Sequence, residues 1–175
     1  MISLAFLFLP CLLTVCANAQ KAEVLTDEVV LRTIEKLRGG DWYRDDICIK
    51  RLKEPPNLVV VGVKDNNSVC NFSVVFIDSD YFEHGRREWT KNALHLLGWG
   101  KANEENRKKL AKLWVEKVLF AFSAKSNQTF QAVPIDNDGI KVIVSLKFPP
   151  GVTSRNAPKI FVFDKDGNMS PEGNY

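Results

Sequence analysis

Apolar residues recur with a helical period through the middle of the chain. Between Asn103 and Phe122, the positions Ala111, Trp114, Val115, Val118, Leu119 and Phe122 fall at offsets of 0, 3, 4, 7, 8 and 11, one broad face of a 3.6-residue helix. Leu113 and Phe120 lie nearly opposite that face. A helix packed on one side alone does not need them, so the pattern predicts a helix covered twice, by a sheet on one side and by other helices on the other. The preceding segment, Glu88 to Trp99, has a narrower stripe of Trp89, Ala93, Leu96 and Leu97. It runs into Gly98-Trp99-Gly100, where glycine can take the positive φ of a helix stop. Nearer the start, Thr26 is placed to cap a helix whose first turn holds Asp27 and Glu28, with Leu25 set to staple against Val30. Val30, Ile34 and Leu37 line its apolar side, and Gly39-Gly40 ends it.

Between these helices the period changes. Asp46 to Lys53, Leu58 to Lys64 and Val69 to Asp78 have strand character, punctuated by Pro55-Pro56-Asn57 and Asp65-Asn66-Asn67, so an antiparallel meander is the economical topology. On the third of these, Cys70, Phe72, Val74 and Phe76 share one face, with Asn71 and Ser73 on the other. Thr129 to Ile135, Ile140 to Phe148 and Lys159 to Asp164 form a second run, turned at Asp136-Asn137-Asp138-Gly139 and by a longer loop from Pro149-Pro150-Gly151. The tail after Gly167 reads as frayed. The order α-β-β-β-α-α-β-β-β, with strands in two runs, predicts α+β: a mainly antiparallel sheet with one N-terminal helix and a central helical pair packed on it.

The residues before this pattern have a different character. Met1 to Ala19 carries an apolar run through Leu13, and Ala17-Asn18-Ala19 offers small residues at the positions a signal peptidase reads. This segment is expected to be a cleaved secretory signal, leaving residues 20–175 as a single domain with no transmembrane segment. Lipid anchoring at Cys16, in Leu13-Thr14-Val15-Cys16, is the less favoured alternative because Val15 replaces a small residue. Export leaves Cys48 and Cys70, an even pair in an oxidising compartment, which predicts a disulfide. A flat meander sets its first and third strands roughly 10 Å apart, too far for that bond. The bond therefore joins strand ends at a twist or bulge, or the strand order is different; the disulfide stands as the expectation and the order is in doubt.

Candidate chemistry is sparse. Asp78, Asp80, Glu83 and His84 follow the apolar run Val74 to Ile77 and offer oxygen and imidazole donors for a divalent cation or for acid/base work. The bland alternative is a polar loop over Ser79 to Gly85. The D-x-D there resembles that of metal-dependent glycosyltransferases over three residues, and those enzymes need a far larger nucleotide-sugar domain. Phe161 to Asn168 resembles the strand-D-x-D-G opening of haloacid-dehalogenase-like phosphatases. That motif must begin a parallel sheet, and here almost nothing follows it, so a β-turn is expected. Val60-Val61-Gly62 resembles the cystatin hairpin motif, but Leu58 stands in place of its glutamine and no later Pro-Trp pair exists. There is no G-x-S-x-G, P-loop, dinucleotide glycine fingerprint or zinc cysteine pair, and no cofactor is called.

Charge is uneven in a chain of net +3: from Arg86 to Lys117, nine cations face four carboxylates. Arg86, Arg87, Lys91, Arg107, Lys108 and Lys112 are the candidate surface for an anionic partner. A solvated helix face with pairs such as Glu104 with Lys108 is the bland alternative. Nucleic acid is disfavoured for want of an aromatic-basic strand motif. Asn66, Asn71, Asn127 and Asn168 begin N-x-S/T sequons, which matter only in a eukaryotic source. The leading functional reading is an exported binding or interaction module whose partner is an unknown protein or small ligand. The alternative is a small metal-dependent or acid/base hydrolase built on Asp78, Asp80, Glu83 and His84. No pattern speaks to oligomeric state.

Overall fold

The structure is a computed structural model that describes residues 25–38, 44–55, 57–86, 88–123, 127–147 and 157–172; the expected signal, Cys16, Gly39-Gly40 and Arg87 lie outside them. It is an α+β fold of three helices and two four-stranded antiparallel sheets. Helix α1 (Asp27–Arg38) precedes β1 (Ile47–Arg51), β2 (Leu58–Lys64), β3 (Cys70–Ile77) and β4 (Asp80–Glu83), which form the first sheet in sequence order. Helices α2 (Trp89–Leu96) and α3 (Glu104–Leu113) come next. The second sheet, again in sequence order, is β5 (Gln128–Ile135), β6 (Gly139–Leu146), β7 (Lys159–Phe163) and β8 (Met169–Glu172).

The N-terminal helix starts as its sequence dictates. Thr26 Oγ1 accepts from Val29 N at 3.3 Å, and Leu25 and Val30 are buried together with Ile34. This cluster packs on one face of the first sheet, against Val59, Val61, Val74 and Phe76. The opposite face gives Leu58, Val60, Val75 and Ile77 to a larger core that also takes in α2, α3 and the inner face of the second sheet through Ile140, Val142, Val144, Phe161 and Phe163. The first sheet is thus buried on both faces, and α3 is sandwiched between sheets. Its second cover is a sheet, where further helices were expected.

The helical pair departs from its stripe in two places. In α2 the buried residues are Trp89, Thr90, Ala93 and Leu94, while Leu96 is 52 % exposed. The helix stops at Gly98, with φ of 90°, and Trp99 then turns back to be fully buried. Helix α3 is capped by Asn103, whose side chain accepts from Asn106 N, and its last turns widen into a π segment, Trp114–Leu119. Phe120 N donates to Val115 O at 3.0 Å, the i→i+5 bond of that geometry. The extra residue per turn rotates the end of the segment: Phe120 and Ala121 are buried, while Leu119 and Phe122 are only partly covered.

The cysteine pair and the meander prove compatible, so the doubt about strand order falls. Cys48 and Cys70 are disulfide-bonded across β2, with Cα atoms 6.3 Å apart. The register shifts between Val61, opposite Val74, and Gly62, opposite Phe72, leaving Ser73 as a bulged residue. A bulge bends its strand and raises local twist, drawing the start of β3 towards β1. The same bulge breaks the expected alternation: Phe72 joins the helix-side core, while Val74 and Phe76 face α1. Gly62 is required here, because a Cβ would stand 2.7 Å from Phe122 Cε2 and 2.8 Å from Asn71 O.

Two further segments are more ordered than their composition indicated. Asp80–Glu83, inside the expected polar loop, pairs with β3, and Met169–Glu172, in the expected frayed tail, pairs with β7.

Candidate functional site

The Asp78 to His84 group sits where β3 turns into β4. Asp78 takes a positive φ of 53° in the turn, and its carboxylate accepts from Asn57 Nδ2 at 2.8 Å while its N–H donates to Asn57 O. It ties two connections of the first sheet together. Asp80 pairs with Ile77 at the start of β4 and is exposed. Glu83, three residues on, projects from the opposite face of the strand. Its side chain is 11 % exposed and pairs with Arg86 at 2.5 Å.

His84 stacks edge-on between Phe72 and Trp89, with ring centroids 5.4 and 5.3 Å away, and Trp89 in turn packs on Trp114. Burial against these rings lowers the His84 pKa from its ordinary 6.5. The four groups are close in sequence, but Asp78, Glu83 and His84 are each engaged separately and Asp80 is exposed. Among the described residues no three His, Cys, Asp or Glu side chains gather as a metal-binding group.

The basic candidates scatter as well. Arg86 is held by Glu83, and Lys108 is held by Glu105 at 2.7 Å, an ion pair that raises the Lys108 pKa. Lys91 lies near Asp164. Arg107 is half-buried, its Nε without a hydrogen-bond partner. By helical spacing it lies across α3 from Lys112. Arg86 and Lys91 line a small hollow of about 220 Å³ beside Trp89, and Lys112 lines a larger one.

That site is a trough of about 640 Å³ between the end of β1 and one side of α3. Lys50, Arg51, Leu52, Lys53 and Glu54 line one wall, and Lys109, Lys112, Leu113, Glu116 and Lys117 the other. The helical wall runs from the last turns of α3, with Lys109, Lys112 and Leu113, into the π segment, with Glu116 and Lys117. A second hollow of about 370 Å³ shares Lys50, Lys112, Glu116 and Lys117 and extends the trough to Gln128, Thr129 and Phe130 on β5.

Six cations therefore stand against two carboxylates, but they are not equivalent. Lys50 Nζ donates to Ala121 O at 2.7 Å, Arg51 Nε donates to Asp27 at 3.0 Å, and Lys117 pairs with Glu116 at 2.6 Å. Lys53, Lys109 and Lys112 form no ion pair among the described residues. Leu52 and Leu113 supply apolar wall between them. The arrangement can hold a group that is anionic and has an apolar stem. Three of its lysines, Lys109, Lys112 and Lys117, lie in the charge-rich helical stretch; Lys50 and Arg51 come from a strand, and Lys53 from the bend after it, more than fifty residues earlier, and only the fold brings them opposite.

The Phe161 to Asn168 motif is a locked turn. Asp164 Oδ1 accepts from the N–H groups of Asp166 and Asn168, each at 2.9 Å, and Oδ2 accepts from Asn168 Nδ2 at 2.8 Å. Partial burial alone raises the Asp164 pKa, and these hydrogen bonds outweigh it, leaving the pKa lowered. Trp99 Nε1 donates to Lys165 O at 3.0 Å, and Gly167, with φ of 84°, lies under the indole. No family model matches the chain, and neither a curated protein nor a solved structure matches it significantly.

Proposed function

We propose that the chain is an exported, single-domain binding module that takes an anionic ligand in the trough between β1 and α3. The observation that carries this reading is the set of lysines without an ion pair among the described residues, Lys53, Lys109 and Lys112, arranged around Leu52 and Leu113. Lysines on two opposed walls cost repulsion unless solvent or an anion offsets it, and a concave surface of one sign concentrates counter-ions. The hollow lies within the size range of sites that hold small ligands or short segments. Export is supported by the Cys48–Cys70 bond and by the signal-like residues Met1 to Ala19. Among the described residues, no helix is long and apolar enough to cross a membrane.

Binding is tested by titrating the protein with tripolyphosphate at low salt while following backbone amide resonances. Shifts are expected at Lys50 to Glu54 and Lys109 to Lys117; no saturable shift, or shifts spread evenly over the surface, would refute the trough as the site. Export is tested by intact mass of secreted material, expected to begin at Gln20 and to be two protons lighter than the reduced chain.

A further inference from the structure

The trough meets an open sheet edge at Lys50 and Arg51, the last two residues of β1. β1 is paired on one side only, with β2, in the order β1-β2-β3-β4. Leu52 N donates to Leu58 O at 3.0 Å, so by the alternation of an antiparallel ladder the main-chain groups of Ile49 and Arg51 point away from β2. Neither has an outer partner among the described residues. Arg51 belongs to both edge and trough: its guanidinium is turned to Asp27 on the α1 side, and the residue also lines the trough.

Only Lys50 and Arg51 of the first wall belong to β1, so an added strand would pair at the end of β1, beside the roughly 12 Å of helix from Lys109 to Lys117.

Resting on the reading of the trough as an anion site, we infer that its occupant is an extended acidic peptide segment that adds to β1 as a further strand. Main-chain bonds to Ile49 and Arg51 would supply register, and alternate acidic side chains would meet Lys53, Lys109 and Lys112. Cationic side chains also protect a free edge from non-specific pairing. Here the same charges select against basic and neutral strands and leave acidic ones admissible.

The test uses an end-blocked peptide alternating Glu and Val, and the same peptide fully N-methylated, which keeps the charges and loses every main-chain donor. The plain peptide is expected to bind, to slow amide exchange at Ile49 and Arg51, and to shift Lys109 and Lys112; the methylated one should bind about tenfold more weakly, the loss of about one or two main-chain hydrogen bonds. Lys112→Glu, at an exposed position that leaves the fold intact by amide spectrum, should weaken the plain peptide, with Lys109→Glu as the second variant.

Equal binding of both peptides with unchanged exchange at Ile49 and Arg51, while tripolyphosphate still shifts the trough, would overturn strand addition and leave the anion site standing. Slow exchange at Ile49 and Arg51 before any peptide is added would overturn it too, because the edge would already be occupied. Capture by phosphatidylglycerol vesicles without peptide binding would also overturn it. Failure of tripolyphosphate itself would remove both readings.

Discussion

Six cations line the trough beside α3, and four acid/base groups crowd the turn from β3 into β4, yet the two regions use their charges differently. At the turn, Asp78 is spent on Asn57, Glu83 on Arg86, and His84 is wedged between aromatic rings. In the trough, Lys53, Lys109 and Lys112 have no ion pair among the described residues, and a neighbouring strand edge is open. The lesson is that a dense run of chemical residue types does not make a site; unspent groups facing a common hollow do. Both regions lean on α3 and its π segment, so substitutions can strike them together or apart.

The largest effect should come from Trp114, which is fully buried, packs on Trp89 behind His84 and opens the π segment that lines the trough. Trp114→Ala should cost about 3–5 kcal/mol, read from denaturant unfolding, and disturb both regions. A loss below about 1 kcal/mol would mean that the helix is not the shared support described. Next is the disulfide, which bears on the trough through β1. Replacing Cys48 and Cys70 by serine should lower stability by about 3 kcal/mol on the chain-entropy model for a sequence separation of 22. The same unfolding measurement on oxidised and reduced protein checks it.

Gly62→Ala comes third. The new methyl meets Phe122 and the fixed carbonyl of Asn71, so a loss of about 1–3 kcal/mol is expected. Wild-type stability in that variant would show that the close approach is not maintained in solution.

The smallest effect belongs to the turn alone. Burial lowers the His84 pKa below 6.5, so as pH falls the unfolded chain takes up the proton before the folded one does. Stability due to neutral His84 is complete above 6.5 and declines as pH drops from 6.5 through the lowered folded value. His84→Gln should flatten that segment of the unfolding midpoint against pH, leaving peptide or polyanion binding in the trough unaltered. An unchanged slope would show that the imidazole is freely solvated.

Much of the fold was legible because it rests on local periodicity. The capped start of α1, the bounds of β2 and the burial of Trp114, Val115 and Val118 all come from spacing that tertiary packing did not override. The features that escaped are those periodicity does not encode. The bulge at Ser73 is a one-residue event that moves Phe72 to the other face and reconciles the meander with the Cys48–Cys70 bond. The π segment shifts burial from Leu119 and Phe122 to Phe120 and Ala121 by inserting a residue into a turn. β4 and β8 were hidden because edge strands with one exposed face look like polar loops. The trough was half visible: Lys109, Lys112 and Lys117 belong to a charge-rich stretch, whereas Lys50, Arg51 and Lys53 gain meaning only once β1 lies across from α3.

The contrast between spent and unspent charge is tested most directly by calorimetric titration of tripolyphosphate into wild type, Lys109→Glu/Lys112→Glu and Asp80→Asn/His84→Gln under one low-salt buffer. Saturable binding to wild type is expected, unchanged in the turn variant and weakened by about tenfold or more in the trough variant, as for reversal of charges that meet an anion directly. Equal affinity in wild type and the trough variant, or loss of binding in the turn variant instead, would contradict the account.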